Sequence, residues 1–487
     1  MKDKQQFFTN KLGFIMAAIA MAVGTGNIWR FPRMAAANGG GAFVIVLIIA
    51  VIICSVPLLM SEMAIGRHTR KGSVGAIGDF MGKRFHWVGA WMGFVCIAIT
   101  FYYSVVAGWT IKYVVLALQG KFVQGSDTKV LWETFSTNPQ ETIFYHFIAM
   151  AATFFILYQG VVKGIERFSR FAIPLLAILL IIGAIRSLTL PGASLGVHYL
   201  FRIDLDYLLI PRTWLDGFTQ AAWSTGAGWA LLMTYATYTR PKDGVGSSMF
   251  IVAYADILVA IVAGLAILPA IFALSPSIDY AHAALESGNM GLTFIYMSEL
   301  FAFMPGGFIM AIFFFLCLSF SAISSLISQV EVGVANLVTA GWIRKQSVLL
   351  TCVAGFIFGL PSAYSLEFLN NQDFVWGGAL LISGIFTASA IMKYGVEKVR
   401  VEHLNQIGTK MKIGRWYNVF IYLNPIIISI IFIWLIYQSI LSDTAYWWNP
   451  FREYSTGTMF FQWLLVIVIL ILANKKLAYY FNPPTPK

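Results

Sequence analysis

The chain has 487 residues, of which 59% are hydrophobic and 11% charged, with a formal net charge of +11. Soluble domains carry about 25% charged residues, so a soluble fold of this length would lack the polar side chains to cover its surface. Most of that surface must face lipid. The positive charge does not point to nucleic acid, because it lies in short clusters between apolar runs: Arg67, Arg70 and Lys71; Lys83 and Arg84; Lys163, Arg167 and Arg170; Lys410, Lys412 and Arg415. That is the distribution of cytoplasmic loops, not of one basic face on a soluble domain.

A span needs roughly 20 mainly apolar residues. In chain order the runs fall near 12–34, 41–66, 87–118, 142–159, 167–189, 217–239, 246–274, 304–340, 345–360, 374–394, 416–440 and 457–481. Twelve spans place both termini in the cytoplasm and most Lys and Arg with them, giving a multi-pass protein of the plasma (inner) membrane. The first run follows a basic start, but no small-residue cleavage site follows it, and the span is expected to be retained. Residues 1–11 form a cytoplasmic segment. The connection 119–141 is polar and outward, 190–216 is an irregular extracellular loop, and 275–303 has short helical patterns suited to an external lid. Cys54, Cys96, Cys317 and Cys352 lie inside apolar runs and are expected as free, buried thiols.

The first and sixth spans are interrupted. AAIAMAVGTGNIWRFP places Gly24, Gly26 and Asn27 at mid-membrane depth, and QAAWSTGAGWALLMTYATY does the same with Ser224, Thr225, Gly226 and Gly228. Unwound backbone frees N–H and C=O groups that lipid cannot satisfy. Two such breaks, in matching positions of two five-span halves (12–189 and 217–394), are the sequence pointer to a transporter binding site. Close helix packing is the plainer use of such glycines. Spans eleven and twelve with the tail, 395–487, lie outside the halves.

The runs GNIWRFPRMAAANGGGAF (Gly26 to Phe43), KGIERFSRFAIP (Lys163 to Pro174), TYATYTR (Thr234 to Arg240) and FLNNQDF (Phe368 to Phe374) occur in order across the first ten spans. In these the chain resembles the neurotransmitter:sodium symporter (solute carrier 6) family and its bacterial amino-acid members. The resemblance implies an all-α integral membrane protein of leucine-transporter-like fold, with a five-plus-five inverted repeat. It also implies sodium-coupled import of an amino acid. The broken-helix architecture of a bacterial member is a worked example of the transporter principle used above.

The resemblance further implies two sodium ions. The first would be held by the Ala22 carbonyl, Asn27, Ser224, Asp256 and the substrate carboxylate, an all-oxygen shell suited to a hard cation. An amide is the common residue at the position of Asp256. A built-in carboxylate there, with Leu47 where chloride-dependent relatives have a Tyr, implies that no chloride is needed. Asp256 could instead serve a neighbouring hydrogen bond, or take up a proton. The second sodium would lie between the first and eighth spans, against the carbonyls of Ala20, Val23 and Ser321 and the hydroxyls of Ser324 and Ser325.

By the same resemblance, the substrate carboxylate meets the N–H groups of Thr25 and Gly26 and the hydroxyl of Tyr103, or of Tyr102 if the register slips. Gly24, where amine carriers have an Asp, favours an amino acid over a monoamine. Met21, Ile99, Tyr103, Trp223, Gly226, Trp229, Ser325 and Gln329 line the pocket, and the two indoles favour a small or slender substrate. Arg30 and Asp373 form the external gate over a lid of Tyr103 and Trp223. The usual cytoplasmic gate aligns with Thr339 and Gln5, so Lys2 or Lys4 substitutes or the control differs. Gly164 and Pro174 mark a place where the fifth span can unwind. The rivals from other classes are a channel and a sensor that binds without coupled transport. An enzyme is not expected, since no catalytic cluster is present. Oligomeric state is not encoded in any feature of the sequence.

Overall fold

The computed structural model describes residues 6–240, 247–405 and 411–482, and they form an all-helical molecule. Among the described residues ten helices are long and apolar enough to cross a membrane: Gly41–Thr69, Lys83–Leu118, Pro139–Tyr158, Val161–Leu188, Ser248–Leu274, Gly307–Thr339, Arg344–Tyr364, Leu366–Tyr394, Trp416–Ser442 and Thr456–Phe481. An eleventh is a bent pair, Lys11–Ala22 with Gly26–Ala37, turned by 51° at its break. The twelfth expected span is the two short helices Pro211–Thr225 and Leu231–Ala236, separated by residues 226–230. Neither piece is long enough to cross alone, which is what an interruption at mid-depth produces.

The third and eighth spans pack along each other at the centre, and the first span rests on the seventh, fifth and eighth. The eleventh and twelfth spans are peripheral and leave Ile426, Ile430, Ile433, Leu464, Leu465 and Leu472 exposed, as side chains facing acyl chains should be. All four cysteines are free and buried.

One loop expectation needs correction. The segment 190–216 is not irregular throughout: it carries the helix Ala193–Phe201 and a tight turn Leu205–Leu209, and the sixth span begins at Pro211 instead of 217. Proline suits the first turn of a helix, where its missing N–H has no partner to lose. The connection between the second and third spans also holds a helix, Ser73–Met81. The external stretch after the seventh span is helical in short pieces, from Ile278–Glu286 to Met297–Phe303.

Candidate ion and substrate site

Both breaks meet at one place. In the first span the regular helix stops at Ala22, Val23 leaves helical geometry, and a wider π-type turn resumes at Gly26–Arg30. In the sixth, the chain passes through left-handed backbone at Gly226 (φ +66°), Gly228 (φ +89°) and Ala230 (φ +62°). The two glycines adopt this freely, whereas alanine does so at a cost. Gly228 also lets the tenth span approach, since a Cβ there would lie 2.8 Å from Gly384 Cα.

Asn27, Ser224 and Asp256, from three spans, are all buried and bonded to one another. Asn27 Nδ2 donates to Ser224 Oγ at 2.9 Å, to Asp256 Oδ1 at 2.7 Å and to the Asp256 carbonyl at 3.1 Å. Ser224 Oγ lies 2.8 and 2.7 Å from the two carboxylate oxygens. The amide is turned opposite to the sequence expectation. Its nitrogen faces the oxygens, while Oδ1 accepts from Gly24 N–H at 3.0 Å. A carboxylate among oxygens attracts the positive end of the nearest dipole, and here that end is the amide N–H. Ala22 is buried at the helix end beside this cluster.

Of the second group, Ser321 Oγ donates to the Val23 carbonyl at 3.3 Å and Ser324 Oγ to the Ser321 carbonyl at 2.8 Å. Ser325 Oγ lies 3.0 Å from where a Cβ on Gly24 would stand. Ala20 is buried one turn back on the first helix. A face of small hydroxyls on the eighth span thus lies against the open carbonyls of the first.

Tyr103 reaches Thr25, hydroxyl to hydroxyl, at 3.3 Å, whereas the buried Tyr102 hydroxyl is turned toward Asp373. The geometry therefore favours Tyr103 of the two. Met21, Ile99, Gln329 and Trp229 are buried, and Met21 Cε comes within 3.9 Å of a Cβ placed on Gly226. Trp223 and Trp229 stand edge to face at 5.2 Å. The Trp223 ring also lies over Gly377 of the tenth span, and both indoles border a cavity lined by Cys54, Leu58, Ala227 and Gly384.

At one end of the site Asp373 is exposed, Arg30 Nη1 has no hydrogen-bond partner among the described residues, and the two do not form an ion pair. The other end is closed. Phe8 is buried, its N–H donates to the Tyr238 carbonyl at 2.9 Å, and its own carbonyl accepts from Arg240 Nε at 3.1 Å. Behind it Arg344 grips Glu331 with two bonds of 2.7 and 2.8 Å, and the Tyr238 hydroxyl donates to the same carboxylate at 2.5 Å. Thr339 takes no part: it accepts from Gly72 N–H at 2.8 Å and so holds the Ser73–Met81 helix. Lys2, Lys4 and Gln5 lie outside the described residues.

Gly164 falls in a π-type turn, Val161–Glu166, that opens the fifth span, while Pro174 sits within the continuous helix Arg167–Leu188. The N-terminal segment is tied to that turn. Gln6 Oε1 accepts from Val161 N–H at 2.7 Å and Glu166 Oε2 from Thr9 N–H at 2.8 Å.

Sequence reasoning missed Glu62, a fully buried carboxylate of the second span. It accepts from the N–H groups of Ala230, Leu232 and Met233 at 2.9, 3.1 and 3.2 Å, and so caps the helix that restarts after the second break. A lone acid in the apolar run VPLLMSEMAIG was the available signal. Glu331, in SQVEVG, carried the same signal. Gln220, one turn before Ser224, is buried with neither amide atom paired among the described residues.

The profile of the Sodium:neurotransmitter symporter family matches residues 5–138 and 140–481. An uncharacterized sodium-dependent transporter of Bacillus subtilis is 29% identical over 459 residues, covering 89% of this chain and 98% of its own. One from Methanocaldococcus jannaschii is 28% identical, covering 85% and 87%. The crystal structure of MhsT in complex with L-phenylalanine superposes with a TM-score of 0.77 at 31% identity, covering 88% of this chain and 99% of that one. With matched breaks in spans one and six, and a family profile that runs nearly end to end, the chain belongs to the sodium:neurotransmitter symporter family, a family of multi-pass membrane transporters with the leucine-transporter-like fold.

Proposed function

We propose that the protein imports a small or aliphatic amino acid together with sodium, by alternating access across the plasma (inner) membrane, with both termini in the cytoplasm. The observation that carries this reading is the meeting of Asn27, Ser224 and Asp256 at the two helix breaks. A half-turn of the Asn27 amide adds its oxygen to theirs. The resulting shell of carboxylate, hydroxyl, amide and carbonyl oxygens suits sodium.

The substrate carboxylate, held by the N–H groups of Thr25 and Gly26 and by Tyr103, completes that shell. Each solute then raises the affinity of the other, and the effect is reciprocal by linkage. A second sodium bound by Ala20, Val23, Ser321, Ser324 and Ser325 draws the first span onto the eighth. MhsT, which binds L-phenylalanine, supports an amino acid as the cargo. The Asp256 carboxylate balances the cation, and Leu47 offers no hydroxyl, so chloride is not required.

The separated Arg30 and Asp373, with the Phe8 and Glu331–Arg344 closure opposite, correspond to the state open to the outside. Closing Arg30 on Asp373 over Tyr103 and Trp223 precedes release of the inner side, where the Val161–Glu166 turn can open once Gln6 and Thr9 leave it. The test is a thermal-shift screen of the amino acids in sodium and in potassium, followed by counterflow in proteoliposomes. Saturable, sodium-dependent counterflow is expected. Binding without counterflow would identify a sensor, and current without saturation a channel.

A further inference from the structure

One turn beyond the residue that borders Gly24, the eighth span carries a buried amide that faces the third span. Gln329 is 2% exposed and stands one helical turn past Ser325 on the eighth span. Its side chain therefore lies about 6 Å further along nearly the same face. Ser325 borders Gly24, while Gln329 meets the third span. Thr100 Oγ1 is 3.3 Å from Gln329 Oε1 and 3.0 Å from the Cys96 carbonyl, and Cys96 Sγ is 3.8 Å from the Gln329 carbonyl. Thr100 follows the pocket residue Ile99 and is one turn from Tyr103, whose hydroxyl reaches Thr25. Thr100 thus fixes one end of the amide. Among the described residues no hydrogen bond is made by Gln329 Nε2, and Met21, Ile99 and Trp229, which the family resemblance puts in the same pocket, are apolar and buried. A buried amide with one end unpaired is unfavourable unless a ligand completes it.

We infer that Gln329 determines specificity, selecting neutral amino acids whose side chains end in a hydroxyl or a carboxamide over their apolar isosteres. This rests on the symport reading of the central site. Thr100 has one hydroxyl hydrogen and two acceptors within reach. If that hydrogen goes to Cys96, the amide turns, gives Nε2 to Thr100 and shows Oε1 to the substrate. A hydroxyl or carboxamide both donates and accepts, so it pairs with either end; a methyl group pairs with neither. Thr100 acts as a positioning residue.

The experiment compares the affinities of the purified full chain for threonine against valine and asparagine against leucine, in sodium and in potassium. The wild type should favour the polar member of each pair by about tenfold or more, since a site built to hydrogen-bond its ligand rejects the analogue that cannot. In Gln329→Leu the ratio should fall toward one or invert, with sodium dependence kept. Thr100→Val should narrow it without removing it, and it serves if the first variant does not fold. A ratio taken within one variant is insensitive to a general loss of stability. Sodium-dependent binding without polar preference in the wild type, or with a ratio unchanged in both variants, overturns the inference alone. The absence of any sodium-dependent amino-acid ligand overturns the symport reading, and the inference with it.

Discussion

Replacing Asp256 by Asn removes the charge that touches both Asn27 and Ser224 while keeping its shape. At about 4 Å and an effective dielectric constant of about 20, the carboxylate attracts a monovalent cation by about 4 kcal/mol. Against this, the ion must displace the Asn27 Nδ2 and Ser224 Oγ hydrogen bonds to the carboxylate, which at about 1.5 kcal/mol each for a charged acceptor return roughly 3 kcal/mol. The difference is on the order of 1 kcal/mol, about a fivefold weaker sodium affinity. The assay is a sodium titration of substrate-induced thermal stabilisation, repeated with chloride replaced by gluconate. Wild type should be indifferent to the anion, and Asp256→Asn should need at least fivefold more sodium. A variant with wild-type sodium dependence would refute Asp256 as an ion ligand, and loss of most wild-type uptake in gluconate would refute its role in place of chloride.

Arg344→Ala leaves Glu331 buried without its partner and should cost about 3–5 kcal/mol, seen as a lowered Tm and faster cytoplasmic proteolysis of the N-terminal segment; adding Glu331→Gln should recover part of it. Glu62→Gln weakens the cap on the restarted sixth span and should lower Tm and substrate affinity together, by about 1–2 kcal/mol. Gly24→Asp sets a carboxylate against Ser325, 3.0 Å from its Cβ, and should abolish amino-acid binding while leaving the protein folded, as judged by size-exclusion chromatography. In the loop after the tenth span, Arg400 and Asn418 hold Glu397 down to about 2. Its contribution is present above the ordinary carboxylate range and fades as pH falls through about 2, so hydrogen exchange in 396–405 should not rise between pH 7 and pH 5 but should rise in Glu397→Gln at pH 7.

The twelve runs, the four buried thiols and the two broken spans were legible because each depends on local composition: a helix in lipid must be apolar, and an interrupted one must carry Gly and small polar residues. The family motifs lie in the same segments. What composition does not carry is which polar groups from distant segments share a site. Glu62 and Ala230 are 168 positions apart, and nothing local to either reveals that one caps the other.

Thr339 stands where relatives have their acidic gate residue and holds a loop helix, while Glu331, Arg344 and Tyr238 bind one another behind Phe8, because partners across spans are chosen by packing. The turn of the Asn27 amide, the edge-to-face indoles of Trp223 and Trp229, and the Thr100–Gln329 contact were likewise decided only in three dimensions. Sequence alone dictated that the chain lives in lipid and where its helices must break; the tertiary structure decided which side chains those breaks face, since an unsatisfied peptide group in a low-dielectric interior takes whatever partner the fold brings within hydrogen-bonding distance.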